Sequence, residues 1–300
     1  MCYAHINVAN VGTQRKYTHL IKTEDTMELQ PLGPYQPAPW KPGEKPSFSQ
    51  TWTFGDIIYS MIPIRLLGGG DFYLRLENLD HLCKTVIGWP NGGSHSGRMT
   101  QKDFDLLAPL IEAQPYINKW AVYNGEAITH PLDNICCWFY GNVLDKGHYG
   151  RIYAHAVGLD PDQWEPEITA PWLTNVKARD LGTKRMVVSK TDRYGNGQVA
   201  PVWQRFKEAG WADQAYFVGT AEEHANFEQD FQLKIEHYKT ADLLELAEVI
   251  MGSQLYLANQ SVGMAIAQGL GVNFWCDHRK DNCTLEGCET YFKRANGFYF

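Results

Sequence analysis

The sequence predicts an α/β protein made of two Rossmann-like halves, each a mostly parallel sheet with helices on its faces. Three observations predict it. Strand-like and helix-like segments alternate twice along the 300-residue chain. Glycines stand at the joints between them, where a strand must turn into a helix. A proline-bearing stretch of little periodicity, residues 160–183, separates the two series. The length itself allows one large domain or two ordinary ones.

The elements follow in order. Residues 1–46 read as an arm, because residues 1–28 show no sustained period and six prolines follow by Pro46. Such a run favours extended chain over helix or central strand. Ser47–Phe54 has strand composition, and Ile57–Leu67 places apolar residues at helical spacing despite Pro63. Gly68–Gly70 stops that helix and Asp71–Leu76 reads as the next strand, a βαβ unit of about 30 residues. Residues 104–123 repeat helix, break and short strand, and Arg151–Leu159 reads as a short helix. The second series has strands at 185–189, 214–218, 254–258 and 272–275. Its helices fall at 201–209, 222–231, 241–250 and 261–269, and residues 286–300 read as an aromatic helix or tail. The expected division is an arm at 1–46, a domain at 47–172 and a second at 173–300.

Composition narrows the class. With 44% hydrophobic and 20% charged residues, the chain can build a packed core, and the composition argues against disorder. A net charge of −7 argues against a protein whose main role is gripping phosphate backbones, though it leaves room for a local basic cleft. Seven scattered cysteines, two of them adjacent, do not resemble a disulfide framework. No leader pattern and no long apolar span is present, so the expectation is a cytoplasmic protein with reduced thiols.

Several stretches carry polar groups at places where α/β folds do chemistry. Asp56 follows Gly55 at a strand-to-helix turn. It reads either as a helix cap or as a general base at the sheet's carboxyl edge. Asn259-Gln260-Ser261 precedes a helix, whose first N–H groups favour phosphate; Ser261 also reads as an ordinary cap. The glycine-rich loop Trp89–Met99 offers His95 and Arg98 as contacts to an acceptor or to phosphates, or is a plain connector. Cys276, His278, Cys283 and Cys288 match no standard zinc spacing, so no metal is expected. Asp103-Phe-Asp105 reads as a helix face and Asp160-Pro-Asp162 as a turn.

GDIIYSMIPIRLLGGG resembles the N-terminal signature of heptosyltransferase-like glycosyltransferases. YFVGTAEE, from Tyr216, looks like that group's strand–Gly–Glu segment, and TADLLELAEVIMGSQLYLANQSVGMAIAQGLGV is similar to its C-terminal signature. The resemblance covers residues 48–80 and 183–276. It implies the GT-B fold: two Rossmann-like domains across a cleft, acceptor on the N-terminal side and nucleotide-sugar on the C-terminal side. Asp56 falls on the family's catalytic base. Lys190 and Arg193 fall in its phosphate loop, where cationic groups stabilise a leaving diphosphate without a metal. Gly219 with Glu222 or Glu223 falls where the family contacts the ribose; both glutamates also read as carboxylates complementing a helix dipole. The family's Asp-Thr-Gly turn is here Asn259-Gln260-Ser261, a departure that bears on the donor.

The resemblance therefore implies an inverting, metal-independent glycosyltransferase with a nucleotide-diphosphate sugar as donor substrate and no other cofactor. Its acceptor hydroxyl would sit on a glycan, a lipid-linked glycan, a protein or a modified nucleobase. The alternatives are a sugar-nucleotide epimerase of the same fold and a non-catalytic nucleotide-binding module.

Overall fold

The computed structural model describes residues 18–23, 26–31, 45–76, 99–134, 148–191, 201–277 and 296–299. Three sheets are present among them. Strands β1 (Thr18–Thr23) and β2 (Thr26–Pro31) form an antiparallel pair inside the segment expected to be an arm. The β-branched and long side chains of THLIKT and TMELQP carry strand propensity that no apolar alternation announces.

A four-stranded sheet gathers β3 (Ser47–Gln50), β4 (Gly70–Leu74), β5 (Ile117–Val122) and β6 (His130–Pro131) in the order β5-β4-β3-β6, all pairs parallel. Helix α1 (Phe54–Leu66) joins β3 to β4, and α2 (Gln101–Glu112) precedes β5. Asp56 through Ile64 are all buried, the mark of a helix covered on every side. Gly69 ends the turn after α1 at φ +106°, where a Cβ would lie 2.6 Å from the Tyr116 carbonyl oxygen. Two short helices, α3 (Tyr149–Ala156) and α4 (Glu165–Thr169), follow.

The second sheet has six parallel strands: β7 (Met186–Ser189), β8 (Ala215–Phe217), β9 (Glu236–His237), β10 (Leu255–Asn259), β11 (Phe274–Asp277) and β12 (Gly297–Tyr299). Their order is β12-β11-β10-β7-β8-β9. Helices α5 (Pro201–Glu208), α6 (Ala221–Phe231), α7 (Leu243–Gly252) and α8 (Val262–Leu270) connect them. The continuous apolar runs of β7 and β10 suit strands covered on both faces. Within residues 286–300, where the sequence suggested helix or tail, Gly297–Tyr299 form a sixth strand paired with β11, while residues 286–295 lie outside the described residues.

The expected joint at 160–183 is not a loose linker. Trp172 and Leu173 are buried, and both backbone N–H groups donate to the Gly269 carbonyl at 2.9 Å. The Trp172 indole donates to Ile58 O in α1, and Tyr116 Oη donates to Trp172 O. Apolar burial and these bonds outweigh the low periodicity that made the segment read as a connector. One core runs through both halves, from Phe48 and Ile57 to Tyr256 and Ile266. Tyr59 Oη donates to Gln268 Oε1 across the α1–α8 contact at 2.8 Å. A second cluster, with Trp203, Phe206, Phe217 and Phe227, fills the other face of the six-stranded sheet.

Candidate functional site

In open parallel sheets ligands bind beyond the strands' carboxyl ends, where the strand order reverses. Here there are two such places. In the four-stranded sheet the reversal lies between β3 and β6, and in the six-stranded sheet between β7 and β10.

At the first, the chain leaves β3 through Thr51–Thr53 into α1. Thr53, not Asp56, is the helix cap, and Asp56 is the third helical residue. Asp56 is 9% exposed, and its Oδ2 accepts from Thr53 N at 3.1 Å and Thr53 Oγ1 at 2.6 Å. That is a capping box, so the carboxylate does serve the helix end, by reaching back to its first residues. Gly55 sits beside it in the first turn. His95 and Arg98 lie outside the described residues.

The same edge carries a polar row that the sequence did not announce. Tyr123 follows β5, Arg75 follows β4, Ser49 stands in β3 and Asp133 follows β6. The Arg75 guanidinium lies 3.7 Å from the centre of the Tyr123 ring, and its Nε donates to Asp133 Oδ2 at 3.1 Å. Ser49 Oγ donates to the same oxygen, and Trp52 Nε1 donates to the Asp133 carbonyl. Asp133 is 4% exposed, and burial holds its carboxyl above the usual range despite Ser49 and Arg75. A strand of two residues, His130-Pro131, is too short to show alternation, so nothing local marked Asp133 as an edge residue.

At the second reversal, paired strands β7 and β10 bring the segments of four predicted phosphate residues side by side. Lys190 and Thr191 follow β7, and Asn259, Gln260 and Ser261 close β10 and open α8. Asn259 is buried and pins the facing loop: its Oδ1 accepts from Thr191 N at 3.1 Å and its Nδ2 donates to Thr191 O at 2.8 Å. Ser261 is the cap residue of α8 without a side-chain capping bond. Gln260 is half-buried beside it. Beneath, Ser189 Oγ and Tyr256 Oη share a hydrogen bond of 2.5 Å, and burial drives the phenol pKa upward. Lys190 turns onto α6, its Nζ 3.7 Å from Asp230 Oδ2 and 5.8 Å from the centre of the Phe231 ring. Arg193 lies outside the described residues.

Beyond β8, Gly219 has φ +147° and its carbonyl accepts from His237 Nε2 at 3.0 Å. Glu223 closes a capping box on Thr220 N at 2.8 Å, while Glu222 is exposed. The His224 and His237 rings stack at 4.6 Å beside this loop, a pair the sequence reading passed over.

No family model matches this sequence, and no curated protein does. Among solved structures, the chain is similar to a glycosyl transferase family 9 protein of Veillonella parvula. That match is 9% identical, covers 86% of this chain and 85% of that one, and has a TM-score of 0.47. It is also similar to E. coli heptosyltransferase WaaC with ADP, at 13% identity over 85% of this chain and 92% of that one, TM-score 0.46. E. coli ADP-heptose LPS heptosyltransferase II is 13% identical over 86% and 90%, with a TM-score of 0.44. A putative UDP-N-acetylglucosamine 2-epimerase of Listeria monocytogenes stands at 10% identity and a TM-score of 0.35. These similarities are low, and the functional reading rests on this chain's own residues.

Among the described residues, no group of three or more His, Cys, Asp or Glu is placed to hold a metal ion. Cys276 is buried and burial raises its thiol pKa, the state of an unreactive core cysteine; His278, Cys283 and Cys288 lie outside the described residues. No described helix is long and apolar enough to cross a membrane.

Proposed function

We propose that the protein is a glycosyltransferase that moves a sugar from a nucleotide-diphosphate donor to an acceptor hydroxyl, inverting the anomeric centre without a metal. One observation carries the reading: the chain presents two carboxyl-edge sites of opposite chemistry. The β3/β6 edge carries two carboxylates, Asp56 and the Arg75-paired Asp133. The β7/β10 edge carries Lys190 and the opening N–H groups of a nine-residue helix.

Each suits one half of the reaction. Backbone N–H groups at the start of α8 would hold the diphosphate, and Lys190, released from Asp230, would take up the charge that develops on the leaving group. Gly219, Glu222 and Glu223 would face the nucleoside, Glu222 being the exposed carboxylate of the two. Asp56 would accept the proton of the attacking hydroxyl while that oxygen forms the new bond to the anomeric carbon and the sugar–diphosphate bond breaks. The reading assigns residues 47–172 to the acceptor side and 173–300 to the donor side. Arg193, His95 and Arg98 remain part of the proposal on the strength of the motifs alone.

The test is nucleotide binding followed by turnover. A nucleoside diphosphate at about 100 times its Kd stabilises the folded chain by about 2.7 kcal/mol, which a thermal shift resolves. Asp56→Asn should keep that affinity and lose about 10²–10⁴-fold in transfer rate. Absence of a shift with every diphosphate would favour a non-catalytic module, and interconversion of free donor without transfer would favour an epimerase.

A further inference from the structure

The ladder between β7 and β10 ends at Ser189 and Ala258, and beyond it one side chain takes over the pairing. Asn259 is 1% exposed, and its whole amide is committed to Thr191. Its Oδ1 accepts from Thr191 N at 3.1 Å, and its Nδ2 donates to Thr191 O at 2.8 Å and to Thr191 Oγ1 at 3.2 Å. An amide side chain carries two N–H donors, and each has a partner here. A phosphate oxygen accepts hydrogen bonds, so Asn259 has no donor left to offer one. One residue before Lys190, Tyr256 Oη and Ser189 Oγ share a hydrogen bond of 2.5 Å.

Lys190 is therefore bracketed, with the residue on each side of it tied to the β10 segment. Its side chain is held far less firmly. Nζ lies 3.7 Å from the Oδ2 of Asp230, a half-exposed carboxylate, and an ion pair of that kind contributes little. A fixed backbone beneath a loosely held cation lets the charge swing to a ligand from a constant starting point. We propose that Asn259 is a positioning residue of the donor-phosphate site, acting through the loop that carries Lys190 and not by touching the phosphates itself. This rests on the glycosyl-transfer reading and names the residue that sets the β7 loop for the nucleotide. Without the clamp, residues 190–191 populate other arrangements, and diphosphate affinity falls with the fraction of chains still correctly arranged.

The experiment uses the full chain, with ADP, UDP, GDP and CDP as probes. The diphosphate that the wild type binds most tightly is titrated calorimetrically into Asn259→Ala, Lys190→Met and the double variant. Loss of the two-way clamp corresponds to about tenfold in Kd. Asn259→Ala should weaken binding by about that factor alone, and by less than about threefold in the Lys190→Met background, because its effect passes through the Lys190 loop. Asn259→Asp keeps the side chain's shape and serves if the alanine variant fails to fold. Its carboxylate still accepts from Thr191 N but cannot donate to Thr191 O, whereas its protonated form can. The charged residues next to it are Lys190, adjoining Thr191, and Asp277, its register partner on β11, whose Oδ2 accepts from the Trp203 indole at 2.6 Å. The Kd of Asn259→Asp relative to wild type at the same pH should therefore approach unity as pH falls. Wild-type Kd in a folded Asn259→Ala variant, or a ratio for Asn259→Asp that stays flat with pH, overturns the assignment. Full additivity with Lys190→Met overturns it too and makes Asn259 a direct ligand. A wild type that binds none of the four diphosphates overturns the glycosyltransferase reading itself, and the assignment with it.

Discussion

Gly263 stands in the first turn of α8, directly over the β7/β10 reversal, and Gly263→Ala is a stringent test of how that site is built. A Cβ at this position would lie 1.8 Å from Tyr256 Oη and 2.8 Å from Tyr256 Cζ. Tyr256 is fully buried, so its ring has nowhere to retreat without displacing its neighbours. Overpacking of this kind costs about 1–3 kcal/mol. The Tyr256–Ser189 hydrogen bond is lost with it, another ~1 kcal/mol for a buried pair. The gain from replacing glycine by alanine in a helix offsets about 1 kcal/mol. The net expectation is about 2 kcal/mol, or a fall in Tm of about 3 °C for a chain of this size. Thermal melts of the full chain measure it. Tyr256→Phe removes the atom that collides first, so the double variant should be less destabilised than the sum of the singles, by about 1 kcal/mol. A Gly263→Ala variant that melts within about 1 °C of wild type, or strict additivity, would refute the close approach of Tyr256 to α8 and the packing argument with it.

Two further outcomes follow from the same structure. Trp172→Ala removes a fully buried ring and its bond to Ile58 O, and should cost about 3–5 kcal/mol, measured by denaturant melts. Asp133 titrates above the usual carboxylate range in the folded chain, so the folded state binds its proton more tightly than the unfolded state does. Its contribution to stability therefore falls as pH rises from the ordinary aspartate value of about 3.8 towards the raised one. Relative to wild type, Asp133→Asn should gain stability across that window and show no such slope, which melts at stepped pH would record.

Much of the fold was legible in the chain, and the reasons are local. The helices of the second half carry strong boundary signals: Thr220 with Glu223, Asp242 before Leu243, and Gly271 in the left-handed region after Leu270. Strands β7 and β10 are short apolar runs between turns, which a covered parallel strand must be. The β1–β2 pair and β12 escaped notice because their pairing partners, not their periodicity, define them. The placement of Asn259, Gln260, Ser261 and Lys190 at the β7/β10 edge was legible because they close or follow recognisable strands. The positions of Asp133, Arg75 and Tyr123 were not, since each follows a different strand and only strand order brings them together.

By itself, then, the amino-acid sequence determined the alternation of strands and helices, the two parallel sheets that alternation entails, and the glycine turns at which polar residues gather. Periodicity and capping are short-range effects, written within a few residues of where they act. Tertiary structure alone decided that residues 170–175 knit the halves together through Trp172 and that Lys190 rests on Asp230. It also decided that Asp133 is buried between Ser49 and Arg75. These depend on which surfaces meet, and burial and hydrogen bonding between distant segments carry no signature in the local pattern of the chain.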